Sequence, residues 1–283
     1  MKRTAVHVVA AGLLLSGATL IHAQSQEPAR LLRIFREDIK SGKGPAHEKV
    51  ETAYARACAK GCPAYVALDG MTGTSQVWFL ERHDSYEAME KAIHLAQTEP
   101  LKTALSQLDA QDGELRSGER GMIATYQKDL SYTPVPALGP KARFYTINMV
   151  RIRPGHTADF TEMRKLVNAA YGKSGSQQRR VVYSVNSGAP AGTYLILSAM
   201  DSLKTMDAAA AGISMSEAFG PDNLAKYNKL TADTVISSEN TMFTISPKMS
   251  NPSKEFIAAD PDFWAPKPKP AAAKPAAKST EQQ

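Results

Sequence analysis

Two stretches of the chain alternate apolar and polar residues as β-strands do, and a helical pattern follows each of them. Residues 31–39 and residues 144–152 are the two predicted strands. Both lead through a glycine-containing turn into apolar residues at helical spacing. In the first stretch these residues are Val50, Ala53, Tyr54 and Ala57, and in the second they are Phe160, Met163, Val167 and Ala170.

The rest of each stretch adds three strands and a second helix in the same order. The further predicted strands are residues 65–68, 76–81 and 122–126, and then residues 181–185, 193–198 and 242–245. Asp84-Ser85 and Asp201-Ser202 stand where a helix N-cap belongs. The resulting order, β-α-β-β-α-β, is that of a ferredoxin-like unit.

The two stretches are copies of one pattern. Ile39 matches Ile152 at an offset of 113 residues, and each is followed by a basic residue and, at the third position, by glycine. Asp84-Ser85 matches Asp201-Ser202 at 117, and Thr125 matches Thr244 at 119. Ordered matches whose offsets grow slowly indicate an internal duplication with small loop insertions.

Tandem units of this kind, with the strand–glycine turn–helix start and the later Asp-Ser helix start, resemble the dimeric α/β-barrel superfamily. That group includes antibiotic-biosynthesis-monooxygenase-like and NIPSNAP-like domains. The resemblance implies an α+β fold in which two tandem ferredoxin-like repeats form an intramolecular pseudo-dimeric α/β barrel. It also implies a monomer, because a tandem chain can close within itself the barrel that these proteins usually form across subunits.

The predicted organisation has five segments. Residues 1–23 are a signal peptide with a basic start, an apolar run and a small residue, Ala23, before the cut. The other four are a first repeat at 24–131, a Pro-rich linker at 132–142, a second repeat at 143–252 and an extension at 253–283 that ends in a disordered Lys/Pro/Ala tail. This places the protein in the periplasm or outside the cell, with no transmembrane segment after cleavage.

The basic character of the chain resides in its ends. The formal net charge is +6, of which the signal segment supplies +2 and the tail from Ala265 supplies +3, so +1 remains for the body. A specific nucleic-acid partner is therefore not expected, since it would need a basic folded face. The tail could still touch an anionic surface.

Cys58 and Cys62 lie near the end of the first predicted helix. In an oxidising compartment the expected state of such a pair is a local disulfide. A pair of free thiols is the next alternative, and a redox or metal role of the pair is the last. No metal site is predicted, because no further ligands stand nearby in the sequence.

No local catalytic motif occurs in the chain. It has no nucleophile elbow, no P-loop and no paired-histidine metal signature. His47 and His83 stand at element ends and are weak catalytic candidates, with partly exposed structural histidines as the favoured interpretation. Haem is a weak cofactor suggestion, by analogy with superfamily members that bind haem or quinone-like molecules between sheet and helices.

Strand alternation places Arg33 and Glu37 on one face of the first strand and Leu32 and Ile34 on the other. The second copy places Thr146 and Asn148 with Arg33 and Glu37. We expect this mixed set to face the opposing sheet or a cavity, with Arg33 paired to Glu37, and the apolar set to lie under the helices. Arg33, Glu37, Thr146 and Asn148 are the candidate ligand-binding residues.

Three functions remain open at this point. The leading hypothesis is an exported protein that binds a small apolar or aromatic molecule. The second is a cofactor-free monooxygenase or isomerase, or a haem-handling enzyme, of the same superfamily. The third is a structural envelope protein that docks through its basic tail.

Overall fold

The structure of the protein is a computed structural model, which describes residues 27–265. The predicted signal peptide and the chain beyond Ala265 lie outside the described residues. In the part that is described, none of the helices combines the length and the apolar character needed to cross a bilayer.

The first repeat contains four strands and three helices. In chain order they are β1 (Leu31–Ile39), α1 (Gly44–Cys58), β2 (Tyr65–Gly70), β3 (Gln76–His83), α2 (Tyr86–Ala96), α3 (Leu101–Gly113) and β4 (Arg116–Tyr126). The sequence predicts one helix between β3 and β4, whereas the structure has two. β4 also begins six residues earlier than expected, because its polar first half pairs with β1.

The second repeat follows after two short 3₁₀ turns. Its elements are β5 (Phe144–Ile152), α4 (Thr157–Lys173), β6 (Val181–Ser187), β7 (Thr193–Met200), α5 (Lys204–Ala211), α6 (Met215–Phe219), α7 (Pro221–Thr234) and β8 (Val235–Asn251). β8 is far longer than the predicted strand, since it pairs with both β5 and β2.

Local sequence signals explain how the corresponding elements begin. The turns before α1 and α4 contain Gly42 and Gly155, whose φ angles are +74° and +85°, a conformation that glycine adopts without a steric penalty. Ser85 caps α2 by accepting a hydrogen bond from the Ala88 amide at 3.0 Å. Ser202 stands one position too early for the same role, and its hydroxyl instead accepts from the Lys204 amide at 3.2 Å.

All eight strands form one closed antiparallel barrel in the order β1-β3-β2-β8-β5-β7-β6-β4. Each repeat contributes four strands, and the repeats meet where β2 pairs with β8 and β4 pairs with β6. This confirms the predicted fold class, a pseudo-dimeric α/β barrel made from two ferredoxin-like halves of one chain. Closure leaves no exposed strand edge.

The side chains inside the barrel come from both repeats, and most of them are apolar, with Arg36 and Gln76 beside Trp78 as polar members. Leu32, Ile34, Ile147 and Phe243 belong to the cluster that fills this interior. Arg33, Phe35 and Glu37 point to the outer face, where Phe35 joins the cluster beneath α1 and α3. The predicted face assignment is therefore wrong. Period-2 alternation shows which residues share a face, but it does not show which face the barrel encloses.

A C-terminal extension closes part of one barrel end. It forms two short helices, α8 (Lys254–Ala259) and α9 (Pro261–Trp264). Trp264 is buried against the interior cluster, and its indole Nε1 donates to the Pro140 carbonyl at 2.9 Å. The Arg143 guanidinium pairs with Asp260. These contacts fasten the extension to the linker between the repeats.

Candidate functional site

The larger cavity lies at the barrel end where β1 begins, and we call it the barrel-end cavity. Its volume is about 940 Å³. The inner wall consists of apolar interior side chains, which include Leu32, Leu68, Leu80, Leu197 and Ala199. The linker at residues 135–139, the loop at 174–180 and the segment joining α5 to α6 complete the outer wall.

Two tyrosines give the barrel-end cavity polar groups. The Tyr183 hydroxyl donates to the Ala29 carbonyl at 3.0 Å. The Tyr145 hydroxyl has no hydrogen-bond partner among the described residues. Burial raises the pKa of both phenols, and the Arg82 guanidinium opposes that effect. Both tyrosines are therefore neutral at physiological pH and able to donate a hydrogen bond.

The entrance of this cavity carries exposed apolar side chains. Ile213 and Met215 both line the cavity and are 54% and 36% exposed to solvent. Exposed large apolar residues at the rim of a concave site are typical of ligand-binding surfaces.

A second cavity lies in the first repeat, between the outer face of the sheet and the helices. We call it the charged cavity. Its volume is about 260 Å³, and the residues around it include Arg33, Glu37, Glu51, Tyr54 and Tyr65. The disulfide Cys58–Cys62, with sulfur atoms 2.14 Å apart, also lies on its wall.

Beside the charged cavity, Glu37, His47, Glu51 and Asp112 form what we call the acid cluster. Their ligand-type atoms all lie within 4.8 Å of one another, and all four side chains are buried. His47 Nε2 lies 2.8 Å from Glu37 Oε2 and 3.6 Å from Asp112 Oδ1. The four residues come from β1, α1 and α3, so only the packing of these elements brings them together.

One cation, Arg116 at the start of β4, faces this cluster. Its Nη1 donates to Glu37 Oε1 at 2.9 Å, and its Nε lies 3.0 Å from Asp112 Oδ2. It also pairs with Asp109 and Glu119 at the surface. Burial lowers the pKa of the guanidinium, but the carboxylates, Glu37 first, outweigh burial and raise it.

The electrostatics of the acid cluster favour the protonated form of Glu51. Its pKa is raised from 4.5 to about 9, chiefly by burial and then by the neighbouring Glu37 and Asp112, against the opposing effect of Arg116. Burial also raises the pKa of Asp112 to about 6, although His47 and Arg116 oppose the shift. Burial and the nearby Glu51 raise the pKa of the Tyr54 hydroxyl to about 12.

The other candidate histidine belongs to a second charged group on the same sheet face. His83 Nε2 lies 3.2 Å from Glu81 Oε2, and Arg33 Nη1 donates to the same oxygen at 3.3 Å. Arg33 stands directly opposite Glu81 across the β1–β3 pair, so its partner is Glu81 and not Glu37 as expected. Both candidate histidines are buried, which corrects the expectation of partly exposed side chains.

The four predicted ligand-binding residues do not converge on one site. Arg33 and Glu37 line the charged cavity of the first repeat. Thr146 and Asn148 lie on β5, in the second repeat, and the Asn148 Oδ1 accepts from the Ser238 hydroxyl at 2.9 Å. The residues were matched correctly by their positions in the two repeats, but equivalent positions lie in opposite halves of the barrel.

The sequence interpretation did not single out Glu51, Asp112, Arg116, Tyr145 or Tyr183. A comparison of the repeats holds a signal for the charged ones. Glu37, His47 and Arg116 occupy positions at which the second repeat has Val150, Phe160 and Val235. A charged residue in one repeat, at a position where the other repeat has an apolar residue, indicates a role other than folding.

The two cavities do not suit haem with a histidine axial ligand. Among the described residues, no histidine lines either of them. The charged cavity is also smaller than the roughly 300–1,000 Å³ that buries drug-sized ligands. The haem suggestion therefore has no support in the geometry of these cavities.

Comparisons with known proteins identify the fold. No protein-family model matches the chain, and no curated protein matches it. A solved anthrone oxidase-like protein superposes with a TM-score of 0.52 at 14% identity, over 78% of this chain and 93% of its own. A mutant chlorite dismutase from Candidatus Nitrospira defluvii gives 0.45 at 8%, over 82% and 95%. The chain has the fold of the dimeric α/β-barrel superfamily.

Proposed function

We propose that this protein binds a small apolar or aromatic molecule in the barrel-end cavity. The single observation that carries this proposal is a cavity of about 940 Å³ that opens into an otherwise well-filled barrel. Proteins bind small molecules in concave, mostly apolar sites of roughly 300–1,000 Å³. An open cavity of this size, lined mainly by aliphatic side chains, matches such a site.

The polar groups of the cavity define the chemistry of that occupant. Tyr145 presents an unpaired phenol hydroxyl to a mostly apolar wall. A ligand that is mainly apolar and has one hydrogen-bond acceptor, such as a carbonyl or hydroxyl oxygen, would satisfy it. The exposed apolar rim at Ile213 and Met215 provides the route by which such a molecule enters.

Titration with the neutral fluorescent probe N-phenyl-1-naphthylamine tests this proposal. We expect a saturable rise in probe emission that corresponds to one site per chain. Ala199→Phe should weaken binding, because the added ring occupies the cavity. Ala110→Phe is the matched control, since Ala110 is exposed on α3 and does not line the cavity.

A second variant guards against misfolding of the first. Ala208 lies on the exposed outer wall, so Ala208→Phe should narrow the cavity without disturbing the core. The proposal would be refuted if probe binding did not saturate, or if Ala199→Phe and Ala208→Phe bound the probe as strongly as the control Ala110→Phe does.

A cofactor-free oxygenase is the second candidate function. Its support is that Glu37 and Glu81 line an aromatic-lined cavity, and each is paired on its buried side with a histidine, His47 or His83. Such a pair could remove a proton from an acidic C–H or O–H group before the substrate reacts with O₂. The anthrone oxidase-like neighbour suggests anthrone as a test substrate.

This second candidate is tested by measuring O₂ uptake and anthraquinone absorbance with anthrone. We expect turnover that falls by about 10²-fold or more in Glu37→Gln, because the imidazole loses its carboxylate partner. Turnover no faster than in buffer would remove this candidate, and it would leave the binding proposal untouched.

We also propose that the mature protein is an exported monomer whose basic tail is not required for ligand binding. The support is the signal-like start of the sequence and a barrel that one chain completes. Fractionation of a producing cell and sedimentation of the purified protein test these points. A cytoplasmic location, or a stable dimer, would contradict them.

A further inference from the structure

The acid cluster has an unbalanced charge. Three buried carboxyl groups, Glu37, Glu51 and Asp112, face one guanidinium, that of Arg116, and one imidazole. If all three carboxyls were ionised and the histidine neutral, two negative charges would remain, and only bound protons or a bound cation could compensate them. Buried charges in proteins are normally paired or bound to a metal, and one divalent cation would balance this set.

Several buried polar atoms of the cluster and its surroundings have no hydrogen-bond partner. Asp112 is only 1% exposed, and its carboxylate forms an ion pair with Arg116 Nε at 3.0 Å and lies 3.6 Å from His47 Nε2, but neither of its oxygens accepts a hydrogen bond of good geometry. The Tyr65 hydroxyl, on the cavity wall beside Glu51, is also buried without a partner. Unsatisfied groups of this kind are rare in folded proteins and call for a missing ligand or water.

The donor atoms lie near the spacing of a metal-bound set, with one pair slightly closer and others farther apart. Ligand atoms that lie 2.0–2.2 Å from a common ion are separated from their neighbours by about 3.0–3.6 Å. His47 Nε2 lies 2.8 Å from Glu37 Oε2 and 3.6 Å from Asp112 Oδ1. Glu51 completes a set whose donor atoms all lie within 4.8 Å. Small side-chain adjustments would suffice to bring all four into one coordination shell.

The second repeat shows that the fold does not require these charges. Val150 and Phe160 replace Glu37 and His47, and Arg164 stands at the position of Glu51. Arg164 is satisfied locally, since its Nε donates to the Leu130 carbonyl at 3.1 Å. The same sheet–helix interface is therefore built once with apolar packing and once with an acidic cluster. Packing alone does not explain the acidic version.

We propose that Glu37, His47, Glu51 and Asp112 form a binding site for a first-row divalent transition-metal ion. One imidazole with three carboxylates suits Zn²⁺ or Mn²⁺ better than the hard Mg²⁺, which prefers an all-oxygen shell with bound water. Glu37 and Glu51 also line the charged cavity, which gives the ion a route to the site. Arg116 then acts as a positioning residue that orients Glu37 and Asp112.

Equilibrium dialysis of the EDTA-treated protein against Zn²⁺, Mn²⁺ or Mg²⁺, followed by elemental analysis, tests this site. We expect one retained Zn²⁺ or Mn²⁺ per chain and much weaker retention of Mg²⁺. His47→Gln and Asp112→Asn should each lower the affinity at least about tenfold. His94→Gln and Glu87→Gln are the matched controls, because both remove exposed groups that lie outside the cluster and do not line the charged cavity, and they should bind as the unaltered protein does.

A spectroscopic readout on the unaltered chain keeps the test decisive if a variant fails to fold. Pulsed electron paramagnetic resonance of the Mn²⁺-loaded protein should show coupling to an imidazole nitrogen. Absence of that coupling, no retained ion, or undiminished binding in folded His47→Gln and Asp112→Asn would each overturn the proposal.

Discussion

The two repeats share one fold, but they bury different chemistry between sheet and helices. In the first repeat the interface holds Glu37, His47 and Glu51 beneath α1. In the second repeat Phe160 and Met163 of α4 pack on Val150 and Tyr194. Arg164 is the buried charge of α4, and it is satisfied by the Leu130 carbonyl. The comparison teaches that a ferredoxin-like half can be held together without an acidic cluster, so the acidic interface is a specialisation of one copy.

The helices after the third strand differ as well. The first repeat has α2 and α3, and α3 delivers Asp112 to the acid cluster. The second has α5, α6 and α7, and the α5–α6 segment forms part of the barrel-end cavity wall. The first repeat therefore supplies the charged candidate site. The second repeat supplies part of the outer wall of the apolar barrel-end cavity.

Removing an aromatic ring from the apolar interface should have the largest effect on stability. Phe160 is buried, and its ring lies 4.4 Å from that of Tyr194. Phe160→Ala should lower the free energy of unfolding by about 3–5 kcal/mol, because a cavity remains. Urea denaturation followed by circular dichroism measures this, and a loss below about 1 kcal/mol would show that the interface is loosely packed.

Breaking the charged interface should cost nearly as much. Arg116→Met leaves Glu37 and Asp112 without their guanidinium, so we expect a loss of about 3 kcal/mol in unfolding free energy in metal-free buffer near neutral pH. Glu119→Gln removes an exposed partner of the same guanidinium and should cost less than about 1 kcal/mol. Equal losses of unfolding free energy in Arg116→Met and Glu119→Gln would contradict the prediction that the buried ion pairs of Arg116 stabilise the protein.

Giving the first repeat the apolar character of the second tests the comparison directly. The combined variant carries Glu37→Val, His47→Phe, Glu51→Leu, Asp112→Leu and Arg116→Val. We expect it to fold and to gain about 2 kcal/mol of unfolding free energy, because apolar replacement of buried charges is often stabilising. It should bind no Zn²⁺. A variant that does not fold would show that the first repeat needs its charges.

Within any single pH unit, the smallest predicted effect is a change in the pH dependence of stability. Because the folded pKa of Glu51 is raised from 4.5 to about 9, the native state holds its proton more tightly than the unfolded state does. This contribution to stability is complete below pH 4.5 and is lost as pH rises towards 9.

The variant Glu51→Gln isolates that contribution. Relative to it, the unaltered protein in EDTA should lose up to ~1.4 kcal/mol of unfolding free energy per pH unit within the window. Denaturation series at several pH values measure the two slopes. Parallel profiles would show that Glu51 is not a buried acid.

Much of the fold could be predicted from sequence patterns. β1 and β5 occur with the predicted bounds, because short-range alternation and turn glycines determine them. The internal duplication in the sequence was the basis on which the pseudo-dimeric barrel was predicted. The extra helices and the long β8 were missed, because their boundaries depend on pairing with strands of the other repeat.

The candidate sites were much less predictable. Glu37 and Arg33 were selected by alternation, but Arg33 pairs with Glu81, 48 residues away. The expectation of no metal site rested on the lack of nearby ligands in the sequence. The acid cluster draws its members from β1, α1 and α3, across a span that no short motif covers.

The amino-acid sequence by itself determined the two copies, their strand and helix order and the residues that share each strand face, since these follow from local periodicity and steric preference. Only the tertiary structure decided which face the barrel encloses and which buried charges meet. Closure of the sheet puts the apolar face inside, where water is excluded, and leaves the charged face of β1 to pair with α1, α3 and β4. That choice depends on contacts between distant segments, which no local pattern contains.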